Sequence, residues 1–260
     1  MAVVVNATAE RLRDGRVALG FGIQLLRSAA APHIARAAGF HWLFIDMEHG
    51  AITLHDTTQL CIASLATGIT PIVRIAKSAF DEGVRALDNG AQGIVVPHVD
   101  TAEEARAIVT AFRYPPTGRR SWGGNQAQFG YQPPPAAEGK RQVDEQLLVI
   151  VMLESEEAVS NADEIAATPG IDVLLIGASD LTGEMGIPGQ WGHERLLRAY
   201  ASVSDACVRH GKVLGSGGIY DSVWSKRYRD LGVRLLIGGN DTGFVLAAAR
   251  ERAQALSGDS

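Results

Sequence analysis

The chain has 260 residues, 46% of them hydrophobic and 20% charged, and carries a formal net charge of −5. This is the make-up of a globular protein able to bury its own core, and an acidic balance with scattered arginines argues against a nucleic-acid partner. No apolar run is long enough for a membrane span, and the start lacks a basic segment followed by an apolar one, so the expectation is a soluble, cytoplasmic protein.

Short apolar, β-branched runs alternate with helix-period segments from end to end. Strands are predicted over residues 18–24, 42–48, 71–76, 93–98, 147–154, 173–177, 212–217 and 235–239. Each is apolar on both faces, the pattern of parallel strands covered by helices. Asp100-Thr-Ala-Glu103-Glu104 and Ser155-Glu-Glu157 read as helix starts, whereas Asn89-Gly90, Pro169-Gly170 and His210-Gly211 close helices. Strict alternation implies a parallel sheet, and eight units close it into a (β/α)8 TIM barrel, with an open doubly wound sheet as the alternative.

One domain is expected over residues 1–260, with a Pro/Gly-rich loop at about 114–145 that has no clear core pattern. Connections of that length in a compact domain usually carry function or are disordered. Tyr114, Trp122, Phe129 and Tyr131, with Arg119–Arg120, favour an ordered active-site or interface loop. Phe21, Trp122, Phe129 and Tyr131 are candidates for lining a pocket. Cys61 and Cys207 lie in helix-like apolar stretches and read as free buried thiols rather than a disulfide.

In such a barrel, function sits on polar residues at the C-terminal ends of strands. Those ends are Asp46-Met-Glu48-His49, Arg74, His98, Glu154, Gly177-Ala-Ser179-Asp180 and Asn240-Asp241. Glu154 and Asp180 end neighbouring strands, about 4.8 Å apart by strand spacing. Two carboxylates that close repel unless a cation lies between them. With no zinc-type Cys/His cluster, oxygen donors favour Mg²⁺ or Mn²⁺; the competing reading of Asp180 is a helix cap. His49 is either a proton acceptor or a histidine tied to the loop backbone. Arg74 is either an electrophilic clamp or half of a structural ion pair. His98 stays unassigned.

These motifs together resemble the HpcH/HpaI aldolases, metal-dependent enzymes that cleave 4-hydroxy-2-oxo acids to pyruvate and an aldehyde. The matching stretches are Phe40-His-Trp-Leu-Phe-Ile-Asp-Met-Glu-His49, Pro71-Ile-Val-Arg74, Ala86-Leu-Asp88-Asn-Gly, Arg113-Tyr-Pro-Pro-Thr-Gly-Arg-Arg120, Leu153-Glu154-Ser-Glu-Glu-Ala158 and Ile176-Gly-Ala-Ser-Asp180-Leu. The resemblance implies Glu154 and Asp180 as ligands of Mg²⁺ or Mn²⁺, with Co²⁺ admissible. It implies His49 as base, Asp88 pairing with His49 from a neighbouring subunit, and Arg74 holding the keto oxygen. The backbone at Ala178 and Ser179 would bind the pyruvate carboxylate, with Asp180 and position 152 also in the substrate site. A homo-oligomer with shared sites follows, a hexamer in this family, acting on a small 2-oxo acid and an aldehyde, and no lysine is required.

Two positions depart from the family pattern. Met152 replaces its usual glutamine and Ile75 its usual proline, which bears on the substrate because a thioether cannot do an amide's hydrogen bonding. Two other readings share the site: oxaloacetate decarboxylation or lysis of a dicarboxylate or CoA ester, and a non-catalytic keto-acid-binding barrel.

Overall fold

A computed structural model describes residues 2–257. Its eight strands are β1 (Ala18–Ile23), β2 (Trp42–Asp46), β3 (Thr70–Arg74), β4 (Gly93–Val96), β5 (Leu148–Leu153), β6 (Val173–Gly177), β7 (Val213–Gly217) and β8 (Val233–Asn240). They pair in parallel in sequence order, and β8 returns to β1, closing the barrel. The open doubly wound sheet is thereby excluded. Observed strands end two residues before the predicted ones at β2, β3 and β4, because Glu48, Ala76 and His98 have already left the ladder for the mouth loops.

Two apolar layers hold the barrel. Inside it, Trp42, Phe44, Ile72, Val95, Ile150, Met152, Leu175 and Ile237 stack with Ala9 and Leu12 of α1 (Ala7–Arg13), which packs into this inner cluster. Gly20 is required there: a Cβ on it would lie 2.3 Å from the Trp42 ring. Around the barrel run α2 (Ala31–Ala37), α3 (Leu54–Thr67), α4 (Phe80–Asp88) and α5 (Ala102–Phe112). The ring continues with the short α7 (Glu156–Ser160) and α8 (Ala162–Ala166), then α10 (Glu194–His210) and α11 (Ser222–Asp230), while α9 (Ala178–Glu184) opens directly off β6. Thr101 and Glu104 form a capping box on α5, one residue beyond Asp100, and Ser155 caps α7.

Residues 114–145 differ from the loop that the sequence suggested. Their last third belongs to a helix, α6 (Ala136–Gln146), preceded by a 3-10 turn at Ala127–Phe129. Only Gly139 and Val143 of α6 are buried, so its helical period leaves almost no apolar trace in the sequence. Tyr114, Phe129 and Val143 form a small core of their own, with Val3 and Trp122 packed against it. The segment joins α5 to β5, which puts it at the N-terminal end of the barrel, away from the mouth. Gln128 anchors it there by donating to the Leu87 and Ala91 carbonyls, 2.6 and 3.0 Å away, in the α4–β4 connection.

The last helix, α12 (Asp241–Ser257), is held through its first turn. Phe244 packs against Phe21 and Phe40, with ring centroids 5.0 and 5.8 Å apart. Beyond it, Val245, Leu246 and Leu256 are exposed. Among the described residues no helix is long and apolar enough to cross a membrane.

Candidate active site

A cavity of about 160 Å³ opens at the C-terminal mouth of the barrel. His49, Arg74, Met152, Glu154, Ser179 and Asp180 all line it, so the strand-end residues singled out by sequence converge on one place. The alternation within β1 explains part of its shape: Gly22 lines the cavity, whereas Phe21 points outward against Phe40 and Phe244.

Arg74 and Asp46 end paired strands in register and lock together. Arg74 Nε donates to Asp46 Oδ1 at 3.0 Å and Nη2 to Oδ2 at 2.7 Å, the two-pronged geometry that guanidinium and carboxylate favour. Asp46, wholly buried, also accepts from Gln24 Nε2 (3.0 Å) and from the backbone N–H groups of Glu48 and His49 (both 3.1 Å). Burial pushes its carboxyl up, but Arg74, Gln24 and the His49 amide outweigh that and hold it below the usual carboxylate range. Arg74 shows the mirror image: burial favours its neutral form, and Asp46, Glu48 and Glu154 overcome this to keep it charged. The ion-pair reading of Arg74 is therefore observed, and it does not use the whole guanidinium. Two of its nitrogens serve the ion pair, while Nη1, 3.9 Å from Met152 Sδ and 3.2 Å from Glu48 Oε2, remains at the cavity. Glu48 Oε2 sits within ion-pair range of that nitrogen without a hydrogen-bonding angle.

Glu154 leaves β5 beside Gly177 of β6. A Cβ at residue 177 would lie 2.4 Å from Glu154 Oε1, so only glycine lets the carboxylate occupy this position. His98 holds it from the other side. With φ at 52°, uncommon for a residue with a side chain, His98 aims its backbone N–H at Glu154 Oε2 (2.9 Å), and its ring Nδ1 lies 3.2 Å from the same oxygen. Burial, and then the nearby Asp180 charge, raise the Glu154 pKa, with His98 and Arg74 pulling the other way. Asp180, in the first turn of α9, is exposed to the cavity, as is Ser179. Ala178 is different: its side chain is wholly buried in the outer apolar layer, so only its backbone could serve a ligand. Gly218, with φ at 90°, approaches so closely that a Cβ would lie 2.6 Å from Ser179 Oγ.

His49 is exposed at the mouth, and its Nε2 is 3.7 Å from Glu48 Oε2. Asp88 lies elsewhere. At the last residue of α4 it belongs to the opposite end of the barrel, bound to Arg120 and Gln126 at 2.7 and 3.2 Å. No route within one chain takes it to His49. Trp122, Phe129 and Tyr131 are not at the mouth of their own chain either, and with Phe21 they do not line its cavity, contrary to expectation. Trp122 instead packs edge-on against Tyr114 and Phe129, with centroids 5.6 and 6.3 Å apart. The cavity also uses Gln24 and Tyr220, which the sequence did not single out, and Asn240, visible there only as a strand-end residue. Asp46 was visible only as a strand-end residue; the signal for its role was an acid and an arginine closing consecutive predicted strands.

The model of the HpcH/HpaI aldolase/citrate lyase family matches residues 25–235. The chain belongs to this family. A 4-hydroxy-4-methyl-2-oxoglutarate aldolase of Hapsidospora irregularis is 36% identical to it, over 99% of this chain and 97% of the relative. A 4-hydroxy-2-oxovalerate aldolase of Novosphingobium aromaticivorans is 36% identical over 93% and 91% of the two chains. The crystal structure of an HpcH/HpaI aldolase from Desulfitobacterium hafniense superposes with a TM-score of 0.90, at 27% identity and 95% coverage of each chain. Kinship this close along almost the whole length makes the chain an enzyme of the aldolase type, a carbon–carbon lyase.

Proposed function

We propose that the enzyme catalyses the reversible retro-aldol cleavage of a 4-hydroxy-2-oxo acid to pyruvate, or a related 2-oxo acid, and an aldehyde or ketone. The carrying observation is the convergence of His49, Arg74, Glu154 and Asp180 on one cavity of a family aldolase. A divalent metal fits the donor set. Glu154 is a buried carboxylate made harder to ionise by its burial and by Asp180, and a cation between the two would relieve both effects. Among the described residues no group of three or more His, Cys, Asp or Glu forms a closed cage, and two carboxylates with open positions suit Mg²⁺ or Mn²⁺, with Co²⁺ admissible. When bound, such an ion would supply Lewis acidity to the 2-oxo acid.

The chain's own residues supply the rest. The carboxylate of the substrate lies against the amides of Ala178 and Ser179. As the C3–C4 bond breaks, negative charge gathers on the C2 oxygen, and Arg74 Nη1 donates to it from a guanidinium that Asp46 already holds in place. His49, directly or through a water, takes the 4-hydroxyl proton; assistance of this kind is worth about 10²–10⁴-fold. Asp88 of a second copy supports the charge on His49, which makes the working unit a homo-oligomer, a hexamer on the family pattern. The uncovered apolar face of α12 agrees with association. Met152 offers no N–H donor where the family places an amide, and its Sδ only accepts weakly from Arg74 Nη1, so the substrate is steered by Arg74 and the carboxylates.

Oxaloacetate decarboxylation could use the same pocket, but it releases CO₂ without removing a hydroxyl proton. Purified His49→Ala separates the two. It should lose pyruvate release from 4-hydroxy-4-methyl-2-oxoglutarate while keeping any decarboxylation; equal loss of both, or of neither, would contradict the assignment of His49.

A further inference from the structure

Asp88 is held in an unusual way. Its Oδ1 accepts from Arg120 Nη2 at 2.7 Å and from Gln126 Nε2 at 3.2 Å, whereas Oδ2 has no hydrogen bond among the described residues. Gly123 passes beside that second oxygen, where a Cβ would lie 3.1 Å away. The side chain of Arg120 is wholly buried, and its Nε and Nη1 have no hydrogen-bond partner among the described residues. Its guanidinium stacks over the Tyr114 ring at 4.7 Å, and Gln126 also donates to the Tyr114 hydroxyl at 2.9 Å.

This is poor design for a purely structural ion pair. A buried guanidinium with two unpaired nitrogens is destabilising, and the remedy would be the two-pronged pairing that Arg74 and Asp46 adopt in the same chain. Turning the Asp88 carboxylate to meet Arg120 with both oxygens would improve stability but consume Oδ2. The observed pairing keeps Oδ2 available on a half-exposed carboxylate whose other oxygen is fixed by two donors and an aromatic platform.

We propose that Arg120, assisted by Gln126, is a positioning residue for catalysis: it clamps Asp88 by Oδ1 so that Oδ2 is presented and oriented to His49 of a second copy. The inference rests on the cross-subunit reading of Asp88 above. Arg120 touches neither substrate nor metal and acts only through Asp88.

The test is a double-mutant cycle on the assembled, metal-loaded enzyme, read as kcat and KM for pyruvate release from a 4-hydroxy-2-oxo acid. Asp88→Asn should lower kcat by about 10²-fold. Arg120→Met should lower it at least about tenfold with KM within about twofold, and should add nothing further in the Asp88→Asn background. Arg120→Lys, which keeps a cation near Oδ1, should restore much of the loss. Wild-type kcat in Asp88→Asn would remove the cross-subunit reading itself. A clear loss in Asp88→Asn with additive effects of Arg120→Met would keep that reading and overturn the positioning role. If Arg120→Met does not assemble by light scattering, Gln126→Leu completes the same cycle: non-additivity with Asp88→Asn supports the clamp, and additivity refutes it.

Discussion

Replacing Asp46 with asparagine removes one charge and almost no volume from the centre of the mouth. The retained amide oxygen can still accept from Arg74 Nε and the amides of Glu48 and His49. The new NH₂ group, however, faces Arg74 Nη2 and Gln24 Nε2 at 2.7 and 3.0 Å, donor against donor. Breaking a buried ion pair from one side destabilises by about 3–5 kcal/mol, and a flip of the Gln24 amide would recover part of that. A net loss of about 3 kcal/mol lowers the melting midpoint by roughly 6–12 °C in a chain of this size. On the proposed role of Arg74 at the C2 oxygen, releasing it from Asp46 should also lower kcat by about 10²–10³-fold. The sign with pH follows from the depressed folded pKa of Asp46. Its stabilisation is complete above the unfolded carboxylate pKa of about 3.9 and is lost as pH falls through the lower folded value, so the gap between parent and variant should close in acid. Thermal unfolding by circular dichroism from pH 3 to 8, with a coupled pyruvate assay, measures all three. A variant that melts with the parent at pH 7 and keeps its kcat would refute this account of Arg74.

Glu154 should behave in the opposite sense. Its folded pKa is raised, so the carboxyl favours folding when protonated, and that contribution disappears as pH rises through the raised value. Glu154→Gln is therefore expected to melt higher than the parent at pH 7 in EDTA, yet to lose both activity and stabilisation by added Mn²⁺; a lower midpoint in EDTA would contradict the electrostatic reading. Gly177→Ala places a methyl where Glu154 Oε1 now lies. Displacing the carboxylate should weaken metal-dependent kcat by about 10²-fold, and unchanged metal titration would show that the cradle is unnecessary. Gly218→Ala combines a left-handed backbone with a contact on Ser179. It should destabilise by about 1–3 kcal/mol and raise KM for the 2-oxo acid, which steady-state kinetics would check.

The barrel was legible because each strand is a short apolar run bracketed by turn signals, a pattern few other folds repeat eight times. The misreadings have physical causes. The helix α6 buries only Gly139 and Val143, and α1 is only seven residues long, so neither leaves an apolar period. His49, Arg74, Glu154 and Asp180 could be found because strand ends converge in a parallel barrel. Aromatic residues carry no such directional signal: Phe21 faces outward because strand alternation gives the inward positions to Gly20 and Gly22. Glycines 177 and 218 became meaningful only once their neighbours were in view. Asp88 had no local signature at all, since within one chain a carboxylate at the far end of α4 is remote from the mouth and is bound to Arg120 and Gln126.

The central claim is a metal-assisted aldol cleavage centred on Glu154, Asp180, Arg74 and His49. It is tested most directly by mixing the purified enzyme with 4-hydroxy-4-methyl-2-oxoglutarate and following pyruvate with EDTA, and then with Mg²⁺, Mn²⁺ or Co²⁺ restored. Cleavage of the C3–C4 bond of that substrate yields two pyruvates. The expected result is two equivalents of pyruvate per substrate, abolished by EDTA, recovered with metal, and absent in Glu154→Ala at any metal concentration. Pyruvate release that is indifferent to the chelator and intact in Glu154→Ala would contradict it.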